Sequence, residues 1–158
     1  MSFHGQPPYR ILRARGESIT RKFRRIEHLL HAEFQQQLLV TELRGLMRAF
    51  FAFAASVDLY HSEVPHPQGT QRLHEAAEER RQRALDLLNE LDVSLAGFLQ
   101  VLLFMKRLRG RRGRPGLRAK GRQTVRGEME GLREDVDALE EFAREGESRS
   151  QSESEENK

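Results

Sequence analysis

The residues best equipped for chemistry in this chain are its arginines. Between residues 106 and 126 there are ten basic side chains and no acidic one, in the run KRLRGRRGRPGLRAKGR and its continuation. Arg107, Arg109, Arg111, Arg112, Arg114, Arg118, Lys120 and Arg122 are spaced along a glycine-rich stretch. Positive charges on such a stretch can follow a phosphate backbone and displace its counterions, giving a sequence-blind and salt-dependent attraction. A second basic cluster, Arg21, Lys22, Arg24 and Arg25, lies within the first 25 residues, where seven basic residues face one acidic residue. Of the 27 basic residues 23 are arginine, the side chain whose planar fork suits bidentate phosphate and carboxylate recognition. A GC-rich gene would produce the same bias.

Within the longer run, Arg112-Gly113-Arg114-Pro115 resembles the core of the AT-hook. The resemblance covers four residues. It implies an extended segment that inserts both arginines into the narrow minor groove of AT-rich DNA, where glycine lets the backbone approach the groove floor and the negative potential is concentrated. The sequence departs from the fuller motif on both sides, with Arg111 before the core and Gly116-Leu117 after it. A nuclear import signal and a solvated linker remain alternatives for the same residues.

Other chemistries find less support. Six histidines are present, and His28 and His31 sit one turn apart on a helical stretch. The Glu-x-x-His pairs of carboxylate-bridged metal bundles are absent from the helical stretches, and Glu63 to His66, which has that spacing, falls in a proline-rich loop. Surface histidines are therefore expected, with no metal and no cofactor. There is no cysteine, hence no thiol nucleophile, and no Gly-x-Ser-x-Gly elbow, phosphate-binding loop or dinucleotide fingerprint. No enzyme is expected. Ser150 and Ser152, each followed three residues later by glutamate, are expected targets of an acid-directed kinase.

The elements that must position the arginines are helices. Leu39, Leu43, Leu46, Phe50, Phe53, Val57 and Tyr60 form a heptad stripe. Ile19, Phe23, Ile26 and Leu30 keep the same alternation upstream, and Phe34 and Leu38 carry it across a phase slip. The simplest reading is one long helix from about residue 18 to 60, bent near Gly45. Two prolines and a glycine in residues 61–69 then stop it. Ala84, Leu88, Leu91, Leu95, Phe98, Leu102 and Met105 make a second stripe behind Thr70 as cap. Val125, Met129, Leu132, Val136 and Leu139 make a third behind Thr124.

The fold expected is all-α: an antiparallel helical hairpin over residues 18–108 and a third, shorter helix over 124–144, forming a three-helix bundle. Residues 1–17 are expected as a flexible basic terminus, 109–123 as a basic Gly/Arg linker and 145–158 as a disordered acidic tail. In this hairpin the two basic runs would meet at one end of the bundle. The most apolar windows, residues 46–60 and 93–105, are each expected to be too charged or too short to span a bilayer.

The net charge of +3 hides a polarised chain, since residues 128–158 hold twelve acidic and four basic side chains. The functional expectation is a helical nucleic-acid-associated or adaptor protein, DNA or RNA, acting in the nucleus, or alternatively in the cytoplasm. The rival is a protein–protein scaffold or membrane-surface regulator that uses the aromatic face of residues 46–60. A homo-oligomer is compatible with the heptad stripes.

Overall fold

The computed structural model describes residues 7–62, 71–110 and 115–156, with side-chain surroundings for residues 10–56, 78–109 and 123–146. The described chain is all-helical, as its stripes predict, but it contains four helices where the sequence suggests three. They are α1 (Pro7–His28), α2 (Gln37–Ser62), α3 (Gln71–Gly110) and α4 (Pro115–Glu156), and a π-helical turn, Leu29–Glu33, closes α1.

The long first helix breaks between Glu33 and Gln37, not at Gly45. The apolar phase slips between Leu30 and Leu38, so one continuous helix could not keep both stretches facing one core. The chain reverses there instead. Phe34 N–H donates to the Leu29 carbonyl (3.2 Å) and Gln36 N–H to the Leu30 carbonyl (2.9 Å), while Gln35 takes the left-handed conformation (φ 53°) that ends helices. Leu38, expected in the stripe, is 83% exposed, and Val40 is buried in its place. Gly45 sits within α2 at a cost of about 1 kcal/mol relative to alanine, which packing on either side offsets.

This break changes the topology. Glu27 and Arg44 pair across α1 and α2, as do the rings of Phe23 and Phe50, so these helices are antiparallel. Ser18 meets Asp92 and Glu33 meets Lys106, so α1 and α3 run parallel. Arg133 meets Glu42 and Phe142 meets Phe53, so α2 and α4 are also parallel. It follows that α3 and α4, which meet at Arg83 and Glu145, run antiparallel. The bundle is thus two hairpins side by side, in the order α1, α2, α4, α3 around the core, with α2 and α3 on a diagonal. The antiparallel pairing expected between the first and second stripes is replaced by parallel packing of α1 on α3.

The stripes themselves are the core. Ile19, Phe23, Ile26 and Leu30 of α1 are buried, as are Leu43, Phe50 and Phe53 of α2. Leu88, Leu91, Leu95, Phe98 and Leu102 of α3 meet them, with Val125, Met129, Leu132, Val136 and Leu139 of α4. Leu12, in the stretch expected to be loose, is buried as well, because α1 begins at Pro7. α4 takes in residues expected as linker and as tail, and it opens on Pro115, the first-turn position proline favours.

Among the described residues, one segment, Glu78–Arg109 of α3, is long and apolar enough by length and composition to cross a membrane. It exceeds the 13-residue apolar window because its helix continues on both sides. The same segment supplies Leu88, Leu91, Leu95, Phe98 and Leu102 to the core.

Candidate nucleic-acid interface

The core stripe of α1 leaves an opposite face, and that face is basic. Arg10, Arg13, Arg21, Arg24 and Arg25 are all exposed, with Glu17 as the acidic residue among them. Two carboxylates on α1 could neutralise the cluster. Glu17 pairs with Arg13 over 3.7 Å, one turn away, and Glu27 turns to Arg44 of α2 at 3.3 Å. Among the described residues Arg21, Arg24 and Arg25 form no ion pair.

Lys22 has a different role. On the side of α1 that faces α3, Lys22 Nζ lies 2.6 Å from Asp92 Oδ1, Arg15 Nη1 donates to Asp92 Oδ2 at 3.0 Å, and the Ser18 hydroxyl donates to Oδ1 at 3.3 Å. Asp92 is the buried charged residue of the described core. Three donors converging on one buried carboxylate fix the register of α1 against α3 and compensate the carboxylate for its lost hydration. Lys22, expected from sequence as a phosphate contact, is thus engaged inside the bundle.

Sequence reasoning alone misses Asp92. Its trace is there: it interrupts an apolar run one position beyond Leu91, while Arg15, Ser18 and Lys22 recur at spacings of three and four beside the α1 stripe. Replacing Asp92 with alanine strands Lys22, which is 27% exposed. A loss of about 1–3 kcal/mol is expected, because Lys22 and Arg15 can still reach water. Asp92→Leu combined with Lys22→Met should recover most of that loss in a denaturant titration; failure to recover it would show that the carboxylate does more than hold register.

Where α1 meets α2, an open groove of about 590 Å³ runs beside the basic face. Phe50, Phe51, Phe53, Ala54 and Leu12 form its walls, and Arg13, Arg21 and Arg24 stand on its rim. The expected wide aromatic face of α2 is therefore divided. Phe50 and Phe53 turn into the core, and Phe51 stays exposed, its ring 5.8 Å from that of Phe50.

The second basic run sits at the other end of α3. Lys106 pairs with Glu33 at 3.0 Å, and Arg109 donates to the Glu33 carbonyl while its guanidinium lies 5.8 Å from the Phe34 ring. These two residues tie the α3 end to the α1–α2 turn. Arg107 is exposed and forms no ion pair among the described residues. Arg111, Arg112 and Arg114, with the AT-hook-like core, lie outside the described residues. Arg118, Lys120 and Arg122 belong to the first turns of α4.

The expected meeting of both basic runs at one end does not occur, because α1 is parallel to α3. The basic residues are spread along the bundle axis instead. The Ser18–Asp92 and Glu33–Lys106 pairs place Arg107 level with the π-helical turn that closes α1, roughly 13 Å along the bundle beyond Arg25 and roughly 35 Å from Arg10 at 1.5 Å per residue. No three His, Asp or Glu side chains cluster in a metal-binding arrangement among the described residues, and His31 Nδ1 lies 2.9 Å from Gln37 Nε2. Comparison with protein-family models, with curated proteins and with solved structures finds no match.

Proposed function

We propose that this chain is a non-enzymatic helical protein that binds nucleic acid along the basic face of α1 and through the arginine-rich segment between α3 and α4. The observation that carries the proposal is the exposed set Arg21, Arg24 and Arg25, which form no ion pair among the described residues while Glu17 and Glu27 turn to Arg13 and Arg44. Unpaired like charges on one helical face repel one another, and a polyanion removes that repulsion while releasing its own counterions. The length of the basic track matches about one turn of duplex, ~35 Å. Action in the nucleus belongs to the same proposal.

The test is a binding series at rising salt with duplex DNA, single-stranded RNA and anionic vesicles side by side. Steep loss of binding to nucleic acid with salt supports the reading, and equal or tighter binding to vesicles refutes it. The AT-hook-like core adds a distinct expectation. Arg112→Ala with Arg114→Ala should cost about 1–3 kcal/mol on AT-rich duplexes and spare GC-rich ones. Equal losses on both would reduce the motif to general charge.

The acidic end of α4 belongs to the same proposal as a modulator. Phosphorylation of Ser150 and Ser152 would each add about −1.5 to −2 charges. Ser150→Asp with Ser152→Asp should therefore weaken binding at low salt, and an unchanged affinity would remove the segment from the account.

A second reading rests on the Phe51 groove: a protein–protein scaffold or membrane-surface regulator that docks an apolar group between the α1 arginines. Phe51→Asp separates the two, since phosphate contacts made by arginine do not need that ring.

A further inference from the structure

The face of α3 opposite the core is organised. Asp86, Glu90, Val93, Gly97, Phe104 and Arg107 recur at heptad-like spacing and are all exposed. Val93 is 72% exposed and Phe104 61%. These are two of the large exposed apolar side chains among the described residues, and α1 and α4, the helices that flank α3, cover neither. Along this stripe the charge changes sign: acidic before Val93, uncharged from Val93 through Gly97 and the exposed Gln100 to Phe104, basic at Arg107. A stripe acidic at one end and basic at the other complements a copy of itself laid antiparallel.

The register follows from the glycine. A Cβ added to Gly97 would meet nothing within 4 Å, so this position leaves the helix backbone open to close approach. Gly97 lies seven residues from both Glu90 and Phe104, or about 10.5 Å at 1.5 Å per residue. With a two-fold axis at Gly97, the Phe104 ring of one chain falls on the shallow groove that Glu90, Val93, Ser94 and Asp135 line on the other. In the same register Asp86 falls beside Arg107, within one residue of the position directly opposite.

We propose that the chain forms an antiparallel, two-fold dimer through the outer face of α3, centred on Gly97, with Phe104 as the anchoring side chain and Asp86 paired with Arg107 across the interface. The dimer would leave the α1–α2 face free and present it twice. It is independent of binding through Arg21, Arg24 and Arg25, and it engages Arg107, which the basic track then loses.

Sedimentation of the full chain over a concentration series tests the proposal, with twice the 18.4 kDa chain mass expected at the upper end. Phe104→Glu should shift the midpoint at least about tenfold toward monomer, since a buried carboxylate would face Glu90. Should that variant misfold by circular dichroism, charge reversal decides the matter. Arg107→Asp alone should weaken dimerisation and Arg107→Asp with Asp86→Arg should restore it. The chain has no cysteine, so Gly97→Cys reports the axis directly: with oxidised glutathione it should form a disulfide to itself faster than Thr41→Cys on α2. A monomer at every concentration overturns the proposal, as does crosslinking at position 41 as fast as at 97. So does a chain that is monomeric in solution but loses binding to phosphatidylserine vesicles on Phe104→Glu, which would assign the face to membrane.

Discussion

Leu95→Asp is expected to abolish the cooperative thermal transition of this protein. Leu95 is fully buried on α3, the helix that packs against both α1 and α4. The substitution removes a side chain whose truncation alone costs about 2–5 kcal/mol. It also places a carboxylate among apolar neighbours, adding several kcal/mol more. Together these are comparable to the ~5–15 kcal/mol by which domains of this kind are stable. The contrast with Asp92, three residues away, shows the principle: this core accommodates a carboxylate where Arg15, Ser18 and Lys22 converge on it. A variant that melts like the parent, followed by circular dichroism at 222 nm, would contradict the packing of α3.

The helical content and the core were legible because apolar periodicity depends on local spacing alone. Leu88, Leu91, Leu95, Phe98 and Leu102, and likewise Val125, Met129, Leu132, Val136 and Leu139, are buried as their spacing predicts. The topology was less legible. A phase slip at Phe34 can be absorbed by a bend or by a reversal, and the choice depends on whether α2 packs better against α1 or continues it, which is a tertiary matter. Gly45 attracts attention as a flexible residue, yet flexibility only permits a bend.

The candidate interface was legible in composition but not in arrangement. Arg21, Arg24 and Arg25 stand exposed as a charged cluster does by default, whereas Lys22, between them in sequence, turns about 100° around the helix and meets Asp92. For partners 70 residues apart, local pattern marks each as a polar residue beside a stripe but does not say that they meet. Arg109 follows the same rule: its sequence suggests a phosphate contact, and the structure engages it with the Glu33 carbonyl beside the Lys106–Glu33 pair.

Arg21, Arg24 and Arg25, which form no ion pair among the described residues, are the arginines proposed to bind phosphate. Replacing Arg21, Arg24 and Arg25 together with alanine removes three positive charges from the face without touching the core, since all three are exposed. At about 1 kcal/mol per phosphate contact, affinity for nucleic acid at low salt should fall on the order of 10²-fold, for all sequences alike. The slope of log affinity against log salt should flatten by nearly 0.9 for each phosphate that is no longer neutralised. Stability should change little, because surface charges away from caps and pairs usually contribute within about 0.5 kcal/mol. Fluorescence anisotropy with a labelled duplex, titrated at four salt concentrations for the parent and the triple variant, is the most direct measurement. The variant is expected to show a shallower slope and weaker binding; superimposable salt dependences would rule out phosphate contacts by these three arginines.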